Sequence, residues 1–407
     1  MNIENFSTVN SYSLADTLPD QCREGTWVGR AWLPESSTAD GIAGPCVIQV
    51  RSGQVYELSA RYLTMADLFA EDKPVLSLNT TAGRPVCTLD ELLDNTLFHR
   101  RPEDYRHTAV PFLLAPNDIQ ATKACGVTFI RSLLERVIEE QAQGDPGLAA
   151  EIRGHIQATI GNNLTDIVPG SAETEALKRR LIEQGVWSQY LEVGIGKDAE
   201  IFTKAQPMSS ITSGFQIGIL RSSEWNNPEP EIVVAANARG DLIGATLGND
   251  VNLRDYEGRS ALLLGKAKDQ NGSSSIGPLL RLFDETFSLA DIQDCEVTLA
   301  ITGEDGFASS GANLMSEISR SPQQLTNDII NRNHQYPDGM MLYLGTMFAP
   351  TEDRASERSG FTHKVGDRVE ISTPKLGTLV NWVNYCDDIP EWSYGVHELI
   401  HYLRQKR

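Results

Sequence analysis

Glu224-Trp-Asn-Asn-Pro-Glu229-Pro-Glu231 runs directly into Ile232-Val-Val-Ala-Ala236, and reading that junction as the entry to a strand decides the fold class. A short apolar run rich in β-branched residues suits a buried strand. The prolines on either side of Glu229 discourage a helix and fit an edge or strand-entry position. If the pleat reaches back through Pro230, its period of two aims the carboxylates of Glu229 and Glu231 at one point. The next expected strand, Asp241–Leu247, ends in Gly248-Asn249-Asp250 and delivers a third carboxylate 21 residues after Glu229. Three carboxylates with no nearby Cys or His form a hard-oxygen set, suited to Mg²⁺ or Mn²⁺ rather than Zn²⁺. A solvated acidic strand edge would carry the same Glu-x-Glu pattern.

Working outward, the texture from Gln189 onward is one of short strands separated by Gly, Asn and Asp. Ile217–Leu220, Glu231–Asn237, Leu242–Leu247, Glu296–Ile301, Met341–Leu344 and Arg368–Ser372 are the expected strands, and such spacing favours a β-rich roll or barrel over βαβ units. Upstream, Thr26–Trp32, Cys46–Gln49 and Val55–Leu58 read as strands of a small mixed region. Helical periodicity follows over Val127–Glu140, Pro146–Ile160 and Glu173–Gln184, with Asp145 and Ser171 as N-caps of the last two. The expected class is α+β, with an N-terminal mixed α/β domain and helical connection over 1–175 and a catalytic domain over 176–407; the boundary falls near 165–188.

The 407 residues carry 35 Lys+Arg against 55 Asp+Glu, a net charge of −20. That excludes a general nucleic-acid binder, which needs cations for phosphate. With 40% hydrophobic and 22% charged residues the composition is globular. Met1–Tyr12 lacks the basic and apolar regions of a signal peptide, and apolar runs such as Met340–Leu344 are too short to span a bilayer. A cytoplasmic protein without a membrane partner is the expectation. The six cysteines show no CxxC pair, so buried free thiols are expected.

The ordered set Asn227-Pro-Glu229-Pro-Glu231, Thr246-Leu-Gly-Asn-Asp250-Val-Asn-Leu-Arg-Asp255, Lys268 nine residues before Gly277-Pro278, and Gly345-Thr346 resembles the fumarylacetoacetate hydrolase superfamily over roughly residues 190–380. The resemblance implies a mixed β-roll and a divalent metal held by Glu229, Glu231 and Asp250. It also implies a substrate with a 2-oxo acid head that chelates the metal. A cation at the 2-oxo oxygen favours loss of a C3 proton by Lewis-acid catalysis, and Lys268 would add positive charge at the developing oxyanion.

Hydrolases of this superfamily that cleave acylpyruvates carry a His-x-x-Glu dyad before a Phe-x-Lys strand. Here the stretch is Glu192-Val-Gly-Ile-Gly-Lys-Asp198-Ala-Glu200-Ile-Phe-Thr-Lys204, with Glu200 as the acid/base candidate and no histidine. One base suffices to remove a proton beside a ketone, so elimination fits better than hydrolysis. Val193–Lys204, Ser223–Ser275 and Asn333–Pro350 are similar to 2-keto-3-deoxy-pentonate (xylonate/arabinonate) dehydratases. That similarity implies conversion of 2-dehydro-3-deoxy-pentonate to 2-oxoglutarate semialdehyde and water. Thr346 would grip the substrate carboxylate, although Met347 stands where many relatives have proline. Ser210, Arg254, Asp255 and His334 are further substrate-contact candidates. A homodimer or homotetramer is expected.

Two other classes stay open: a C–C hydrolase of acylpyruvates or 2,4-diketo-3-deoxy sugar acids, and an inactive ligand-binding module on the same fold. His397-Glu-Leu-Ile-His401 is a literal HExxH, but only six residues follow it, and an exposed terminal helix is the expected reading. Gly194–Lys197 and Gly258–Lys266 lack phosphate-loop spacing, no GxSxG elbow occurs, and the sequons at Asn5, Asn79, Asn163 and Asn271 are chance matches.

Overall fold

The computed structural model describes residues 12–14, 17–19, 24–101, 104, 107–126, 128–129, 154, 168–183, 185, 187–346, 348, 350, 352–354 and 360–406. The helices expected over Val127–Glu140 and Pro146–Ile160 fall outside those residues, apart from 128, 129 and 154. Asp145, Cys22, Asn5, Asn163 and Met347 also fall outside them.

The strands in chain order are β1 Trp27–Leu33, β2 Gly44–Arg51, β3 Gln54–Glu57, β4 Arg84–Thr88, β5 Phe112–Leu114, β6 Ala121–Cys125, β7 Ile201–Ala205, β8 Gln216–Ile219, β9 Asn226–Asn227, β10 Pro230–Ala236, β11 Leu242–Asp250, β12 Asn252–Leu253, β13 Ser274–Leu282, β14 Glu296–Thr302, β15 Ala308–Leu314, β16 Met340–Tyr343, β17 Arg368–Thr373 and β18 Gly377–Tyr385. Among the described residues they form an eleven-stranded sheet in the order β4-β3-β2-β1-β13-β11-β10-β16-β6-β7, with β5 beside β1, a five-stranded sheet β15-β14-β17-β18-β8, and a β12-β9 ribbon. Both large sheets are mixed: β16 with β6 and β18 with β8 are parallel, and the other pairs are antiparallel. This is the α+β architecture expected, with strands from both sides of residue 175 sharing one sheet through β1–β13 and β6–β16.

The strand that Pro230 enters sits in the middle of that sheet. β10 lies between β11 and β16 and every residue of it is buried. Covered on both faces, it reads as a continuous apolar run. Ile232 and Val234 pack toward Leu299, Ile371 and Leu379 of the second sheet. Val233 and Ala235 pack on the opposite side with Tyr343, Met65, Leu68 and Phe69. Pro230 is the first residue of an interior strand, so strand entry holds and an edge does not. β14, by contrast, alternates buried with more exposed residues, as a strand with one solvated face should.

The helices are short and their starts are written locally. Thr64 with Asp67 caps Met65–Phe69, Thr88 with Glu91 caps Leu89–Thr96, and Ser321 with Gln324 caps Pro322–Ile329, each a reciprocal capping box. Ser171 accepts the Thr174 N–H at 3.2 Å at the head of Ala172–Glu183, as expected. Among the described residues no helix is long and apolar enough to cross a membrane. Cys46, Cys125 and Cys295 are buried free thiols, while Cys87 and Cys386 are half-buried.

Candidate active site

The β10–β11 hairpin sets the geometry of the carboxylates. Its turn is tied by Asn237, whose Oδ1 accepts the N–H groups of Arg239 and Asp241 at 2.9 and 3.0 Å, and Gly240 supplies a positive φ of 83°. From that turn the register places Glu231 opposite Gly248 and Pro230 opposite Asn249. The Asp250 N–H then donates to the Glu229 carbonyl at 3.0 Å. β11 does not stop at Leu247 as expected. It continues to Asp250 because Ser274–Gly277 of β13 pairs with it there. Glu229, Glu231 and Asp250 are all buried, and one carboxylate oxygen from each lies within 4.8 Å of the others.

Two lysines press against this cluster. Lys268, on helix Leu264–Lys268, places Nζ 2.5 Å from Glu229 Oε2 and 3.1 Å from Asp250 Oδ2. Lys204, on β7, places Nζ 2.8 Å from Asp250 Oδ1 and also donates to the carbonyls of Val251 and Lys268. Burial alone would depress Lys268, but the carboxylates of Asp250 and Glu229 outweigh it and hold its pKa above the ordinary value. For Lys204 burial wins and the pKa falls, with Lys268 adding repulsion.

The residues present fit a divalent cation. When ionised, the three carboxylates outnumber the two ammonium groups pressed against them, a buried imbalance that a further cation would offset. Glu231 Oε2 accepts the Gly345 N–H at 2.8 Å, while Glu231 Oε1 is buried with no hydrogen-bond partner. Burial, then Asp250 and Glu229, push the Glu231 pKa well above the carboxylate range, a strain that a dication would relieve. Gly345 is needed for that donor: its φ is 96°, and a Cβ there would strike the Gly126 carbonyl and Thr128.

A small cavity of about 20 Å³ opens onto the cluster, and Glu200, Glu229, Lys268 and Thr346 all line it. Thr346 is buried, its hydroxyl donating to the Phe348 carbonyl at 3.0 Å. Glu200 is half-buried and crosses directly over Gly126, where a Cβ would collide with its carboxylate. The other candidates lie elsewhere. Ser210 meets Ser274 Oγ at 3.2 Å and lines a different cavity. Arg254 stacks 4.5 Å over Trp225. Asp255 accepts from Ser223 and the Glu224 N–H. His334 is exposed beside Tyr336. His397 and His401 are exposed with their Nε2 atoms 3.1 Å apart, and among the described residues no third ligand joins them.

Sequence reasoning gave no role to Lys204, Asn252, Glu257 or Tyr343. Asn252 bridges Glu229 Oε1 and Glu257 Oε2 at 2.9 and 2.5 Å, and Glu257 lines the same small cavity. The signal for Lys204 was its place in an otherwise β-like run, since a fully buried lysine needs a paired carboxylate.

Residues 202–384 match the family described as "Fumarylacetoacetate (FAA) hydrolase C-terminal". The chain is 30% identical over 201 residues to a "Probable 2-keto-3-deoxyxylonate dehydratase" of Haloferax volcanii, covering 49% of this chain and 65% of that protein. It is 31% identical over 181 residues to a "2-dehydro-3-deoxy-D-arabinonate dehydratase" of Saccharolobus solfataricus, covering 44% and 57%. The matched region thus spans less than two thirds of either curated relative. A solved structure, "2-keto-3-deoxy-D-arabinonate dehydratase complexed with magnesium and 2,5-dioxopentanoate", superimposes with a TM-score of 0.57 over 88% of this chain and 99% of that one, at 19% identity, a likeness of fold. The carboxylate hairpin lies within residues 202–384, the stretch that is similar to the fumarylacetoacetate hydrolase C-terminal family.

Proposed function

We propose that this chain is a metal-dependent hydro-lyase that converts a 2-dehydro-3-deoxy-pentonate to 2-oxoglutarate semialdehyde and water. The observation that carries the reading is that Glu200, with no histidine in its segment, lines the same cavity as Glu229 and Lys268. The two relatives of this activity class support it. A Mg²⁺ ion, with Mn²⁺ as a substitute, would be held by Glu229, Glu231 and Asp250 and would supply positive charge to the oxygens of the 2-oxo acid head.

The chain's own residues do the rest. Glu200 takes a C3 proton, and its single carboxylate is sufficient for that step. Lys268 faces the charge that develops on the 2-oxo oxygen. Departure of the C4 hydroxyl with a proton leaves a C3=C4 double bond. Moving one proton from C5 to C3 then gives the C4=C5 enol, and transfer of its hydroxyl proton to C4 gives the aldehyde with the carbon skeleton whole. Lys204 holds Asp250 in place, and Thr346 offers the substrate carboxylate its backbone N–H, and its hydroxyl once that is released from the Phe348 carbonyl. At about 20 Å³ the cavity holds little more than one water, so it must widen to admit a five-carbon acid. The expected setting is the cytoplasm, as a homodimer or homotetramer, which light scattering would test.

Incubation of the purified protein with Mg²⁺ and a panel of 2-keto-3-deoxy and 2,4-diketo acids, followed by product mass, tests the reading. A product lighter than its substrate by one water supports it. Pyruvate plus a second acid would replace it with the C–C hydrolase.

A further inference from the structure

The helix Val396–Gln405 carries the HExxH motif that the carboxylate site leaves unused. Leu399 and Tyr402 bury one face of it in the cluster that contains Trp32 and Cys46. The Tyr402 hydroxyl lies 3.2 Å from Cys46 Sγ, and Lys406 Nζ pairs with Asp40 Oδ2 at 3.0 Å just beyond the last turn. The backbone under the motif is therefore held. His397 and His401 stand one turn apart on the outer face, and both are exposed.

Their Nε2 atoms are 3.1 Å apart, with ring centroids 4.5 Å apart and ring planes at 68°. Two imidazole nitrogens bound to one dication at about 2.0–2.1 Å lie about 2.8–3.4 Å apart for angles between square and tetrahedral. The pair already has that spacing, so a cation needs little movement of either ring. Without a cation, one Nε2–H donates to the other Nε2. A dication takes the place of that proton, which moves to Nδ1 of its ring. Glu398 does not stand beside the pair as a base: its Oε2 accepts the Gly395 N–H at 3.3 Å and caps the helix. The motif thus supplies two ligands and no hydrolytic group. Both histidines line an open cavity of about 400 Å³ with Tyr402 and Gln405, which gives waters room to fill the remaining coordination positions.

We propose that His397 and His401 form a second, non-catalytic metal site, a two-histidine chelate that takes an imidazole-preferring transition-metal dication, Zn²⁺, Ni²⁺ or Cu²⁺, with water as the other ligands. Imidazole selects these ions over Mg²⁺, which takes oxygen ligands. The chelate requires a formed helical turn, so the cation stabilises the folded chain. The site is independent of the carboxylate cluster and does not rest on the function proposed above.

The probe is Ni²⁺, titrated by calorimetry into the full chain without an affinity tag and with Mg²⁺ in excess. Running the titration in wild type and in Asp250→Ala separates Ni²⁺ taken by the carboxylates from Ni²⁺ taken by the histidines. A binding event of one Ni²⁺ per chain is expected in both, with a rise in melting temperature. His397→Ala and His401→Ala should each weaken that event about tenfold or more, because a single imidazole loses the gain from a second tethered donor. Both positions are exposed, and circular dichroism checks the fold; if one variant does not fold, the other reads the same chelate. If Asp250→Ala does not fold, Glu231→Gln makes the same separation. Equal affinity in either folded histidine variant would overturn the proposal. So would loss of the event in Asp250→Ala with retention in the histidine variants, or a histidine-dependent event of one Ni²⁺ per two chains.

Discussion

Lys204 Nζ lies 2.8 Å from Asp250 Oδ1, and neither side chain is more than 1% exposed. An ammonium fully removed from water on the flank of a three-carboxylate cluster neutralises part of that cluster and competes with any cation for Asp250. Lys204→Met should therefore do two opposite things. Stability in EDTA should fall by about 3–5 kcal/mol, as when one partner of a buried pair is removed. The gain in melting temperature on adding Mg²⁺ should grow, because the cluster becomes more negative. Differential scanning fluorimetry with and without Mg²⁺ reads both. A smaller Mg²⁺ gain than in the wild type would mean that Lys204 supports the cation rather than competing with it.

Asp250→Ala should abolish Mg²⁺ binding and turnover together, since a hard cation loses one of very few protein ligands. Isothermal titration with Mg²⁺ checks the first and product formation the second. In the wild type, EDTA should inactivate reversibly. Undiminished Mg²⁺ affinity in the variant would remove Asp250 from the ligand set.

Gly126→Ala should displace the Glu200 carboxylate, because the new Cβ would occupy its path. Turnover should drop by at least about tenfold, in line with the sensitivity of catalysis to small misplacements, while Mg²⁺ affinity holds. Comparing kcat with the Mg²⁺ isotherm separates the two, and an unchanged kcat would show that Glu200 need not sit there.

His397→Ala combined with His401→Ala should leave turnover essentially unchanged, because this pair is exposed and remote from any third ligand among the described residues. A loss of about a hundredfold or more, the low end of an acid/base contribution, in a variant that keeps its circular dichroism would give the HExxH a role.

The carboxylates were legible in the sequence because strand alternation is a local rule: Glu229 and Glu231 share a face by their spacing, and the hairpin returns Asp250 beside them. Lys268 followed from the family pattern. Lys204 stood out only as a lysine in a β-like run; its partners were not legible, since they depend on β7 lying beside β6 at the far end of the sheet and on contacts with Val251 and Lys268. Asn252 and Glu257 were missed because their places rest on side-chain hydrogen bonds linking Asn252 to Glu229 and to Glu257, which no periodicity announces. Ser210 hydrogen-bonds Ser274, which in turn meets Tyr343, and it lines an aromatic cavity rather than the carboxylate one.

The central claim is that Glu200 removes the C3 proton. Glu200→Gln keeps size and hydrogen bonding but cannot accept a proton, so it should bind Mg²⁺ and a 2-keto acid normally while turnover falls roughly 10²–10⁴-fold. Solvent-deuterium exchange at C3 of a bound, non-eliminating substrate analogue, followed by NMR in wild type and variant, isolates that step from hydroxyl departure. The account expects rapid exchange in the wild type and a comparable collapse in Glu200→Gln; exchange at the wild-type rate in the variant would contradict it.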